Sequence, residues 1–101
     1  MKLIVHPAAQ AEFDRKVAYL KRKGLLFNSA ELFVDEIERA LDAIPDQIGR
    51  SRMPGAPAYF RVGPTERFSF SIIYQIVGPE IHVIAIAAPE RRPGFWKRRR
   101  F

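Results

Sequence analysis

Apolar residues recur along this chain with two different periods. Between Pro7 and Lys23, Ala9, Phe13, Val17 and Leu20 follow one another at spacings of four, four and three, which is one stripe of an amphipathic helix. Asp14, Arg15, Lys21 and Arg22 lie largely off that stripe, and Gly24 is placed to cap its C-terminus. A second helix is marked by Asn28 as N-cap, Glu31 three residues on as in a capping box, and Phe27 with Leu32 as a hydrophobic staple. Its stripe is Ala30, Phe33, Ile37, Ala40, Leu41 and Ile44, and Pro45 is expected to end it, because the residue before a proline resists helical geometry. The short link between the two helices predicts an antiparallel hairpin.

The rest of the chain reads with strand character. Residues 2–6 form a short apolar strand leading into Pro7 at the first helical position. Three more strands are predicted at 58–62, 67–77 and 80–88, separated by Gly63-Pro64-Thr65-Glu66 and by Gly78-Pro79. Alternation in the long strand puts Phe68, Phe70, Ile72, Tyr74 and Ile76 on one face and Arg67, Ser69, Ser71, Ile73, Gln75 and Val77 on the other. In the last strand Ile81, Val83, Ala85 and Ala87 face one way and His82, Ile84, Ile86 and Ala88 the other. Nearly all are apolar, so this strand is expected in the interior of the sheet. The order β-α-α-β-β-β defines an α+β fold, a helix hairpin on one face of a small, mostly antiparallel sheet.

At 101 residues with 48% hydrophobic positions, the chain suits one packed domain. Without cysteine, disulfides, thiolate metal sites and cysteine nucleophiles are excluded. No apolar run reaches the length of a signal core or a membrane span, so a cytoplasmic protein is expected. The net charge of +6 is unevenly spread. Residues 1–90 hold 11 basic and 11 acidic side chains, whereas residues 91–101 hold Arg91, Arg92, Lys97, Arg98, Arg99 and Arg100 with no acid. We therefore divide the chain into a domain over 1–90 and a basic, aromatic tail over 91–101. Such a block suits an acidic partner, although a solvated terminus would have the same composition. Phe95 and Trp96 distinguish the two, since large aromatic surfaces favour burial. With Pro93-Gly94 as a turn they would fold back and present Arg91 and Arg92 from an edge of the central strand.

Little else in the chain carries chemistry. There is no phosphate-binding glycine loop, metal-ligand cluster or Ser-His-Asp arrangement, and no cofactor is expected. His6 stands at a strand-helix junction, and His82 among isoleucines reads as a hydrogen-bonded structural imidazole. Tyr74 shares a face with Phe68, Phe70 and Ile72 and reads as core, while Tyr59 is uncommitted. Glu31, Asp35, Glu38 and Asp42 make an acidic helix face, read first as solvated. The long segment 45–57, rich in Pro and Gly, is expected to be a surface loop displaying Arg50 and Arg52. Arg61 and Arg67, on either side of the Gly63-Pro64 turn, read as surface cations that could join Arg91 and Arg92 in a basic rim.

The run from Val5 to Phe13, the helix Ala30 to Ile44 with its proline, Tyr59-Phe60-Arg61-Val62, Ser71-Ile72-Ile73-Tyr74, and Ile81 to Ala87 followed by Arg91-Arg92-Pro93-Gly94-Phe95-Trp96 together resemble the RelE/ParE toxins of type II toxin-antitoxin systems. The resemblance spans nearly the whole chain and is carried by order and spacing, not by one motif. It implies a toxin neutralised by a cognate acidic antitoxin in a hetero-oligomer. RelE-like members cut messenger RNA on the ribosome; ParE-like members inhibit DNA gyrase by binding it. Many relatives carry a histidine near the position of Ala88 or Pro89, which is absent here, and the body outside the tail is charge-balanced. Both features favour the ParE-like branch, with Arg61, Arg67, Arg91, Arg92, Phe95, Trp96, Lys97 and Arg98 as target contacts and Arg50, Arg52 and Tyr59 as additional ones. A RelE-like endoribonuclease and a non-toxic binding module of the same fold are the alternatives.

Overall fold

The structure is a computed structural model that describes residues 2–23, 29–47, 58–61, 68–92 and 94–101; of Gln47 and Ala58–Arg61 the backbone alone is described. The element order is β1 (Lys2–Val5), α1 (Pro7–Lys23), α2 (Ser29–Gln47), β2 (Ala58–Arg61), β3 (Ser71–Val77) and β4 (Glu80–Ala87). The strands form one sheet in the order β1-β4-β3-β2, with β1 parallel to β4 and the other pairs antiparallel. β4 lies inside the sheet, as its two-sided apolar pattern requires. The predicted Gly24 cap, the Asn28 cap and the loop and turn at 48–57 and 62–67 lie outside the described residues.

α1 begins with an unusual cap. The His6 carbonyl accepts from Gln10 N at 3.0 Å, and its Nδ1 accepts from Ala8 N at 2.9 Å, while Pro7 has no N–H to satisfy. An imidazole lone pair thus does the work usually done by a Ser, Thr, Asp or Asn oxygen. Lys21, Arg22 and Lys23 occupy the last turn, where cations oppose the negative end of the helix dipole.

α2 buries Ala30, Phe33, Ile37, Ala40 and Ile44 against the sheet. Phe33 sits at the centre of an aromatic group, its ring 5.7 Å from Phe13, 5.2 Å from Phe68 and 5.0 Å from Phe70. The helix does not stop before Pro45. It runs two residues further, to Gln47, so the proline occupies the last turn and removes one hydrogen bond there without breaking the helix.

Two corrections apply to the strands. β3 begins at Ser71 and not at Arg67, because its partners end there: Ser71 pairs with Arg61 of β2 and with Ala87 of β4. Phe68 and Phe70 remain buried and Ser69 exposed, so the predicted alternation persists ahead of the ladder. In β4 the strict alternation fails at a β-bulge. Ile73 pairs with Ala85 but Tyr74 with Val83, leaving Ile84 as the extra residue. Beyond it the faces exchange. Ile81, Val83, Ile86 and Ala88 belong to the core under the helices, whereas Ile84, Ala85 and Ala87 turn to the opposite face with Ile73.

Candidate cationic interface at the end of β4

Trp96 covers that opposite face. It is 6% exposed and packs with Ile73, Ile84, Ala85 and Ala87, and Phe95 lies partly buried beside it. The tail reaches this position through successive turns. Arg91 N donates to Ala88 O at 3.1 Å, Phe95 N to Arg92 O at 3.3 Å, Lys97 N to Gly94 O at 3.1 Å and Arg99 N to Trp96 O at 3.1 Å. Gly94 adopts φ of +79°, a left-handed conformation that glycine reaches without a Cβ clash.

The tail is tied to the helix layer at one buried carboxylate. β1 ends at Val5, paired with Val83, so the next part of β4 has no strand on that side. Glu12 of α1 and Arg99 of the tail take the place of one. Glu12 Oε1 accepts from Ile86 N at 3.1 Å, and Arg99 Nη1 donates to Ile84 O at 2.9 Å. The two side chains also pair with each other, Arg99 Nη1 to Oε1 and Nη2 to Oε2, both at 2.9 Å. The Glu12 side chain is 4% exposed and that of Arg99 16%. A carboxylate and a guanidinium in this fork-to-fork arrangement satisfy an open strand edge and each other.

Arg91 makes a weaker third contact to Glu12, at 3.3 Å, with its side chain 42% exposed. Its guanidinium lies 3.9 Å from the centre of the Phe95 ring, and that of Arg99 lies 5.1 Å from it. Phe95 is thus held between two cations that Glu12 also holds. Arg92, Lys97 and Arg98 are exposed, so beside Arg91 the anchored tail presents three further cations to solvent.

The far end of the tail docks on the histidines. His6 Nε2 is 2.8 Å from Arg100 O; since Nδ1 already accepts the Ala8 N–H, Nε2 is the protonated nitrogen and donates. The Phe101 ring stands edge-on to His6 at 5.2 Å and tilted against His82 at 4.4 Å. His82 Nε2 is 3.0 Å from Glu80 Oε1. Both imidazoles therefore have structural partners. Tyr74 is fully buried, and its hydroxyl has no hydrogen-bond partner among the described residues.

The predicted contact residues divide accordingly. Arg91, Arg92, Lys97 and Arg98 share one cationic surface, with Phe95 partly buried beneath it. Trp96 lies beneath that surface too and serves as its anchor. The backbones of Tyr59 and Arg61 lie in β2 with side chains outside the described residues, and Arg50, Arg52 and Arg67 fall outside them altogether. Sequence reasoning missed Glu12 and Arg99. Glu12 left a signal, because it occupies the position three after Ala9 and one before Phe13, where the apolar stripe of α1 should hold an apolar residue.

Among the described residues no cluster could hold a metal ion, and no helix is long and apolar enough to cross a membrane. No curated protein and no solved structure matches the chain. Residues 3–93 match the family described as the ParE toxin of the type II toxin-antitoxin system, parDE. That span includes the capped helix, Glu12, the bulged strand and the arginine pair. The chain belongs to the ParE toxin family, the toxin half of a two-component system whose other half is an antitoxin.

Proposed function

We propose that this toxin acts in the cytoplasm by binding DNA gyrase and arresting it, without itself catalysing a reaction, and that its cognate antitoxin neutralises it in a toxin-antitoxin hetero-oligomer. The observation that carries this reading is the anchored tail. Trp96 and the Glu12–Arg99 pair hold the segment after β4, so Arg91 and Arg92 leave the sheet in a fixed direction with Lys97 and Arg98 beside them. Cations presented from a rigid base lose little conformational freedom on binding an acidic or nucleic-acid-bound surface. Arg61, Arg67, Arg50, Arg52 and Tyr59 extend this contact in the same proposal.

The absence of catalysis is supported by how the proton-carrying side chains are used. RNA cleavage by its own 2′-hydroxyl needs a proton acceptor and a donor near the phosphate. His6 caps a helix and binds the tail, His82 pairs with Glu80, and Tyr74 is enclosed in the core. The decisive experiment uses purified protein in a gyrase supercoiling assay beside a ribosome-dependent messenger cleavage assay. Supercoiling should stop and messenger should remain intact. Arg91→Ala with Arg92→Ala should abolish growth arrest while leaving the circular dichroism spectrum unchanged. Cleavage of messenger, or full growth arrest in the double variant, would overturn the reading.

A further inference from the structure

A groove of about 460 Å³ runs between the flank of α1 and the end of β4. Arg15, Lys16 and Arg22 line it from the helix, Arg91 from the turn after the strand, and Phe70 and Tyr19 supply aromatic surface. Its two carboxylates do not balance these cations. Glu12 is taken up by Arg99, which leaves Glu90 against four positive side chains. Arg15 and Arg22 form no ion pair among the described residues.

We infer that this groove receives an acidic peptide segment of the antitoxin. The inference rests on the toxin reading for the partner's identity, and on charge and geometry for the site. Backbone pairing is not the means of recognition, because Glu12 and Arg99 already occupy Ile86 N and Ile84 O and Arg91 N occupies Ala88 O. Side-chain carboxylates are what the walls can bind. Arg15 and Arg22 stand two turns apart on one helix flank, about 10 Å along its axis. Carboxylates seven residues apart on a helix, or about three apart on an extended chain, span the same distance.

The aromatic surface favours a peptide over a single-stranded nucleic acid. Stacked bases need open ring faces. Phe70 is buried, and the Lys16 ammonium lies over both rings, 5.1 Å from that of Tyr19 and 5.6 Å from that of Phe70. Lys23 approaches Tyr19 at 5.7 Å. The rings are thus occupied by cations, which a carboxylate can bridge and a base cannot displace cheaply. Glu90 in the wall opposes a continuous phosphate chain, whereas a peptide can leave that point uncharged.

The test uses the full chain, a fluorescein-labelled oligoglutamate and an oligothymidylate of matched length, with fluorescence anisotropy near physiological ionic strength. Arg15→Glu with Arg22→Glu should weaken oligoglutamate binding on the order of tenfold, and Arg98→Glu with Arg100→Glu, an equal charge change in the tail, far less. The milder pair Arg15→Gln with Arg22→Gln, checked by circular dichroism, should weaken it in the same sense. Failure of oligoglutamate to bind, equal loss in the groove and tail variants, or tighter groove-dependent binding of oligothymidylate would each overturn the proposal. In cells, the Arg15→Glu, Arg22→Glu variant should arrest growth as the wild type does. If the wild type itself leaves growth unaffected, the toxin reading falls, while the anisotropy result still decides the groove.

Discussion

Glu12→Ala is the sharpest test of how the tail is held. The substitution removes both 2.9 Å contacts to Arg99 and the acceptor for Ile86 N, leaving a guanidinium only 16% exposed without its carboxylate. Removing one partner of a buried pair costs about 3–5 kcal/mol. Arg99 can turn partly to water, so the lower end applies, about 3 kcal/mol, or a fall of roughly 12–24 °C in midpoint for a domain of this length. Urea unfolding followed by Trp96 emission, the only tryptophan in the chain, and by circular dichroism measures it. Arg99→Ala should cost a similar amount, and the double variant should fall short of the sum by about 2 kcal/mol, since both changes break one interaction. Arg91→Ala, at 3.3 Å and 42% exposed, should cost under about 1 kcal/mol and couple weakly to Glu12. A loss below about 1 kcal/mol for Glu12→Ala, or coupling to Arg91 as strong as to Arg99, would refute the clamp.

Tyr74→Phe deletes a buried hydroxyl that has no partner among the described residues, so stability should rise by about 1 kcal/mol with growth arrest retained; a drop in stability would show that the hydroxyl is bonded. Gly94→Ala forces a Cβ onto a φ of +79° and to 3.0 Å from Lys97 Cε. The lysine tip can move aside, so the backbone strain dominates, about 1–2 kcal/mol, and an unchanged unfolding midpoint would argue against the left-handed turn.

Where sequence and structure agree, the information is local. The stripes of α1 and α2 follow from spacing along one helix, and the alternation from Phe68 to Tyr74 follows from the pleat of one strand. Where they differ, a distant partner decides. Ile84 becomes the bulged residue through a slip in pairing between β4 and β3, and the pattern of β4 alone, apolar on both faces, carries no mark of the slip. Pro45 was read as a stop by its local effect on Ile44, yet Ile44 is fully buried in the core, and that packing holds one more turn. The candidate site was legible in its arginine pair and its aromatics. Its fastening was not, since Glu12 and Arg99 are 87 positions apart and only the folded sheet shows why an acid and a base are needed at the same edge.

That separation bears on the order in which the molecule assembles. During synthesis the first helix emerges with an acidic side chain facing a site that it cannot enter dry, because its counterion belongs to the last residues made. Closing so long a loop is entropically slow relative to local contacts. The nascent protein must therefore keep this carboxylate hydrated until translation is nearly done. The cationic surface is consequently the last part of the toxin to take shape, which leaves an interval in which an antitoxin can engage a chain that is not yet competent to harm its host.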